Sequence, residues 1–106
     1  MSNFLLELVD IIKSRKNEDV RKSYTSFLLS KGTVECLKKF EEESEEFKEA
    51  IKKNKNIIHE SADVVYHFLV TLEARGINFI DVVKELEKRK NKSGHDEKKN
   101  RKNEIR

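Results

Sequence analysis

Apolar side chains recur along this chain at steps of three and four, broken by short polar stretches, a pattern that predicts helices throughout. The first run, residues 3–15, places Phe4, Leu5, Leu8, Ile11 and Ile12 in one stripe, with Ser2 or Asn3 to cap its start. Residues 17–22 are polar and read as a loop. Ser23 then opens a short helix that Lys31-Gly32 closes, a polar cap before and a glycine after being ordinary helix punctuation. So short a helix does not persist alone in water, so Phe27 and Leu28 are expected to dock on the core.

A third helix is predicted from about Thr33, as N-cap, to about Asn54, with Leu37, Phe40, Phe47 and Ile51 as its apolar stripe and Ser44 in register. Lys53-Asn54-Lys55-Asn56 turns the chain into a fourth helix, about Ile57 to Arg75, which Gly76 terminates. Its core face reads Ile58, Ala62, Val65, Leu69 and Leu72, and Ile57, Val64, Phe68 and Val70 carry apolar surface almost all round. A helix of that kind is expected to be buried. Asn78 caps a fifth, about Phe79 to Arg89, carrying Phe79, Ile80, Val82, Val83 and Leu86. The predicted fold is therefore an all-α bundle of about five helices, with one domain over residues 1–90.

Composition sharpens this picture at three points. Hydrophobic residues are 36% and charged residues 41% of 106, lean for a compact monomer, so burial of further surface in an oligomer is expected. From Glu87 onward the chain has nine basic residues, four acidic ones and a single apolar side chain, Ile105. Residues 91–106 thus read as a basic tail, either disordered or a helix docking on a partner subunit. Cys36 is the only cysteine, which excludes an internal disulfide and suits a reducing cytoplasm. No stretch approaches the roughly 20 apolar residues of a membrane span. Aromatic residues are not interleaved with the tail's charges, so nucleic acid is not an expected partner.

The candidate chemistry lies between Lys39 and Asp63. Glu42-Glu43-x-x-Glu46 sits on the third helix and Glu60-x-x-Asp63 on the fourth. Positions three or four apart share a helix face. At roughly 100° per residue, Glu43 lies beside Phe40 and Phe47, with Glu42, Glu46 and Glu49 a little further round. Glu41 and Glu45 point to solvent, where Lys48 and Lys52 offset them. An isolated E-E-x-x-E in so charged a chain reads as a solvated surface. Glu60 and Asp63 do not, because they stand on the most apolar helix, where unpaired charge costs several kcal/mol or more. Together the five carboxylates form an all-oxygen set suited to Mg²⁺ or Mn²⁺, while no Cys/His spacing suits zinc. Lys39 lies on the same stripe as Glu43 and Glu46, and His67 continues the Glu60–Asp63 line as a substrate contact, a carboxylate partner or a core histidine. Such a centre suits hydrolysis of a nucleotide polyphosphate with pyrophosphate as leaving group.

These residues carry a family resemblance. Ser23-Tyr24-Thr25, Lys31-Gly32, Lys39 before Glu42-Glu43-x-x-Glu46, Glu60-Ser61-Ala62-Asp63-Val64-Val65-Tyr66-His67, Arg75-Gly76 and Ser93-Gly94-x-x-Glu97-Lys98-x-x-Arg101 together resemble the phosphoribosyl-ATP pyrophosphatases, within the all-α MazG-like nucleotide pyrophosphohydrolases. The two acidic motifs alone indicate the superfamily; the S-Y-T element, the Y-H step and the S-G-x-x-E-K tail narrow it. Two positions depart from the family pattern: Glu41, where glycine is usual, and Glu35, where a basic residue is common.

The resemblance implies Mg²⁺-dependent hydrolysis of phosphoribosyl-ATP to phosphoribosyl-AMP and pyrophosphate, the second step of histidine biosynthesis, by a homodimer packed across its two-fold. In that light Glu43, Glu46, Glu60 and Asp63 are expected to hold metal, Glu42 to orient or deprotonate the attacking water, and Lys39 to meet phosphates. Tyr24, Thr25, Lys31, His67, Lys98 and Arg101 become candidate substrate contacts. The alternatives are a housekeeping (d)NTP pyrophosphohydrolase on the same scaffold and a non-enzymatic helical RNA- or protein-binding module.

Overall fold

The computed structural model describes residues 2–90. Five α-helices follow in order: α1 (Ser2–Ser14), α2 (Tyr24–Lys31), α3 (Thr33–Lys53), α4 (Ile57–Arg75) and α5 (Phe79–Arg89), with a 3₁₀ turn, Arg15–Asn17, after α1. No strand occurs among the described residues. The expected all-α class is what is found. The expectations for the tail, Lys98 and Arg101 included, lie outside the described residues.

The most extensive packing joins α3 to α4. The turn between them is set by backbone chemistry. Asn54 and Asn56 adopt left-handed conformations, φ 53° and 58°, which asparagine tolerates better than residues with larger or branched side chains. Lys55 N–H returns to the Ala50 carbonyl (3.1 Å), closing α3 with a Schellman-type bond. Gly76, at φ 80°, ends α4 likewise, with Ile77 N–H on the Leu72 carbonyl at 2.9 Å. Two further bonds stitch the pair: Thr33 Oγ1 donates to the Ala74 carbonyl (3.2 Å), and Thr71 Oγ1 lies 3.2 Å from the Cys36 carbonyl.

Around this hairpin, α1 packs on α4, and α2 packs on α3, α4 and the 3₁₀ turn. Ser23 Oγ caps α2, accepting from Ser26 N–H at 3.1 Å, and the buried Ser26 hydroxyl in turn donates to the Arg15 carbonyl. The core is small. Ile12, Leu28, Cys36, Leu69 and Val70 form its buried cluster, with Leu8, Val9, Leu29, Tyr66, Phe68, Ala74 and Phe79 packed against it. The Cys36 thiol donates to the Leu28 carbonyl at 3.3 Å, and burial pushes its pKa up.

Several expectations need correction. The residue ahead of α3 is Gly32, with no side-chain cap; Thr33 is already helical and spends its hydroxyl on α4. The α1 helix includes Ser2 and Asn3 instead of starting after them. Within its predicted stripe only Ile12 is fully buried, while Phe4, Leu5 and Ile11 are exposed. Leu28 docks on the core, but Phe27 stays exposed with Lys31 Nζ 5.1 Å above its ring. On α4 the stripe splits along its length. Leu69 is buried, but Ile58, Ala62 and Val65 are exposed, as are Leu37 and Ile51 on α3. No residue of α5 is buried. Periodicity identified each apolar face, but a single chain has too few elements to cover them all.

Candidate metal centre and active site

Glu43 and Glu46 stand three positions apart, as do Glu60 and Asp63, so each pair projects from one face of its helix. The α3–α4 turn folds the two faces together. One ligand atom from each of Glu43, Glu46 and Glu60 lies within 4.8 Å of the other two, and the same holds for His59, Glu60 and Asp63. Glu60 belongs to both groups and joins them into a continuous set.

The electrostatics of this set are unresolved by the chain itself. Glu43 Oε2 and Glu60 Oε2 are buried and meet no hydrogen-bond donor among the described residues. Nor does a lysine or arginine there form an ion pair with Glu43, Glu46 or Glu60. Both carboxyls are consequently held above the ordinary carboxylate range. For Glu43 the first cause is burial, followed by the Glu46 charge; for Glu60 the causes come in the same order. Buried carboxylate oxygens are normally satisfied, so an orphaned pair within one cluster calls for a missing partner. An all-oxygen donor set with unspent lone pairs fits a hard divalent cation.

Glu42 and Lys39 stand apart from that set. They pair with each other at the exposed edge of α3, Lys39 Nζ donating to Glu42 Oε2 at 3.3 Å. This contact raises the Lys39 pKa. Glu41, Glu45 and Glu49 are exposed, with Lys48 4.0 Å from Glu45 and Lys53 3.8 Å from Glu49. An open groove of about 420 Å³ runs past Glu46 and Glu60, and its lining also includes Glu45, Lys53, Lys55 and Asn56.

On the other side of the carboxylates, α2 brings Tyr24 and Thr25 against Tyr66 and His67 of α4. Thr25 Oγ1 lies 2.5 Å from the Tyr66 hydroxyl. His67, only 5% exposed, has Nδ1 at 2.9 Å from the Asp63 carbonyl and Nε2 at 3.4 Å from the Tyr24 hydroxyl. The Tyr66 ring meets the His67 ring edge-on at 4.9 Å and stacks on that of Tyr24 at 6.4 Å. Burial comes first in raising the Tyr24 pKa, which also responds to Lys39, Glu43, Glu42 and Asp63. The phenol is therefore within electrostatic reach of the acidic cluster.

The expected residues thus sort by position. Glu43, Glu46, Glu60 and Asp63 converge, Lys39 and Glu42 lie at the rim, and Tyr24, Thr25 and His67 form an adjoining wall. Lys31 is exposed at the end of α2 and pairs with the Phe27 ring instead. One neighbour was missed: His59 Nε2 lies 3.3 Å from Asp63 Oδ2. Its four-residue spacing from Asp63 was the available signal.

Comparisons with known proteins bear on the family. The sequence profile of the phosphoribosyl-ATP pyrophosphohydrolase family matches residues 5–90. A phosphoribosyl-ATP pyrophosphatase of Paracoccus denitrificans is 43% identical over 100 residues, covering 92% of this chain and 93% of that protein. Another, from Ignicoccus hospitalis, is 42% identical over 91 residues, covering 84% and 89% of the two chains. A third, from Vesicomyosocius okutanii, is 43% identical over 105 residues, 97% of this chain and 100% of the relative. With the profile spanning four helices and most of α1, and identity sustained over nearly the whole length of each relative, the chain belongs to the phosphoribosyl-ATP pyrophosphohydrolase family.

Proposed function

We propose that this chain hydrolyses phosphoribosyl-ATP to phosphoribosyl-AMP and pyrophosphate, in histidine biosynthesis, and that Glu43, Glu46, Glu60 and Asp63 hold Mg²⁺ or Mn²⁺ for that reaction. Family membership supports the substrate. The observation that carries the metal reading is the pair of buried carboxylate oxygens, Glu43 Oε2 and Glu60 Oε2, without a donor. A divalent ion bound there supplies neutralisation of the polyphosphate and a more acidic water.

The chain's own residues divide the remaining work. Glu42 is the carboxylate outside the ligand set, exposed beside it, and orients or deprotonates the attacking water. Lys39, exchanging its contact with Glu42 for a phosphate oxygen, stabilises developing negative charge. Thr25 and Tyr24 line the substrate's approach, Tyr66 holding the hydroxyl of the first.

The active form is read as a homodimer. Among the described residues only six apolar side chains are buried, and fifteen large ones are exposed. Ile58, Ala62 and Val65 continue the buried line of Leu69 along α4 with nothing over them. A second copy supplying the missing helix face accounts for that surface. No helix of the described residues is long and apolar enough to cross a membrane, and a buried free thiol, Cys36, suits the cytoplasm.

The deciding experiment is pyrophosphate release from phosphoribosyl-ATP, with and without Mg²⁺, beside a panel of nucleoside triphosphates. Metal-dependent release from phosphoribosyl-ATP alone is expected. Preferential cleavage of dUTP or dCTP would move the assignment to a housekeeping pyrophosphohydrolase, and metal-independent turnover would sink the ligand set.

A further inference from the structure

His67 is nearly fully buried, and both of its ring nitrogens have partners. Those partners fix its hydrogen. Nδ1 faces the Asp63 carbonyl, which only accepts, so Nδ1 must carry the proton. In the neutral imidazole Nε2 is then an acceptor, and the Tyr24 hydroxyl 3.4 Å away must donate to it. Tyr24 has one hydroxyl hydrogen, and this contact uses it.

We propose that His67 is a positioning residue that acts through Tyr24: it takes the phenolic hydrogen and leaves the lone pairs of the Tyr24 oxygen as what that side chain offers the substrate. Tyr24 is half-exposed, and its hydroxyl meets the same imidazole that rests on the Asp63 carbonyl one turn back along α4. Its oxygen therefore accepts from a donor on the substrate, a sugar hydroxyl or an amino group, and does not donate to a phosphate. The packing is consistent with a fixed rather than a mobile phenol. Tyr66 stacks on the Tyr24 ring and edges the His67 ring, while its own hydroxyl meets Thr25. Ser23 caps the helix start immediately before Tyr24. For its substrate the inference rests on the phosphoribosyl-ATP reading; for its geometry it does not.

Three measurements test it. Nitrogen-15 NMR of the wild-type protein should show His67 as the Nδ1-protonated tautomer, independent of any activity; an Nε2-protonated ring would overturn the proposal. Kinetics should follow the hydrogen bond. Asparagine can reproduce the contact of Nδ1 but not that of Nε2, whereas glutamine can reach the position of Nε2. His67→Asn and Tyr24→Phe are each expected to lower kcat/KM about tenfold, the scale of one lost hydrogen bond. The double variant should be no worse than either single one, and His67→Gln should recover most of the loss. Additive losses, or equal activity of the Asn and Gln variants, would show a merely structural histidine. Finally, Tyr24→Phe should leave inhibition by pyrophosphate unchanged, because that ligand is an array of acceptors. Weakening of that inhibition in step with kcat/KM would mean that Tyr24 donates to phosphate. An inactive wild-type protein with the expected tautomer would overturn the substrate reading while leaving the His67–Tyr24 geometry intact.

Discussion

Glu60 stands on a helix whose other side chains are mostly apolar, with one carboxylate oxygen buried and no donor for it. Glu43, on the neighbouring helix α3, is in the same condition. In the metal-free protein this is a source of instability, and neutralising one member should relieve it. Glu60→Gln is expected to raise the thermal midpoint of the metal-free protein, to remove the further rise on adding Mg²⁺, and to cut turnover more than about 100-fold. Loss of a residue that only supports a ligand already costs 10–100-fold. Thermal scans with and without Mg²⁺, paired with pyrophosphate release, check this. The pH dependence has a definite sign. Both glutamates titrate above their ordinary value of 4.5 in the folded chain, so across that window the folded state holds protons the unfolded state has lost. Stability from this source is complete below about 4.5 and is lost as pH rises through the raised values. Metal-free protein should therefore lose thermal stability over that rise, and Mg²⁺ should oppose the loss by binding only the folded state. Urea midpoints measured from pH 4 to 8 with a chelator present would show it.

At the scale of elements, α2 is eight residues long, too short to stand by itself. Its place depends on the Ser23 cap, the Ser26–Arg15 contact, the buried Leu28 and the Thr25–Tyr66 contact. Ser23→Ala should cost about 1 kcal/mol of stability by urea unfolding. It should also lower activity beyond what global unfolding explains, because the helix start it frees carries Tyr24 and Thr25. Unchanged kinetics with the same loss of stability would mean that these two side chains are held by α4 alone. Much of this level was legible in the sequence: Ser23 and Gly32 bracket α2, Asn78 caps α5 by accepting from Ile80 N–H at 3.0 Å, and Gly76 closes α4. Thr33 was misread because a hydroxyl ahead of an apolar run looks like a cap wherever it stands. Its actual partner, the Ala74 carbonyl, is forty-one residues away, and local spacing carries no trace of it.

For the whole molecule, the exposed apolar line Ile58, Ala62 and Val65 is the surface a second copy is expected to cover. Val65→Lys should place a charge in that contact and shift the protein from the mass of two chains toward one of 12.5 kDa in sedimentation. A wild-type protein already sedimenting at the single-chain mass would remove the dimer from the proposed function.

What the sequence by itself determined is local: the helices, most of their caps, and the facing carboxylates of E-E-x-x-E and E-x-x-D, because helical period alone decides which side chains share a face. The tertiary structure decided the rest. It separated Glu42 from the converging set, left Glu43 Oε2 and Glu60 Oε2 without donors, and aimed the Tyr24 hydroxyl at His67. Each of these depends on how one helix is rotated and offset against another. That is set by the sum of weak packing contacts across the chain, and no spacing within one helix records it.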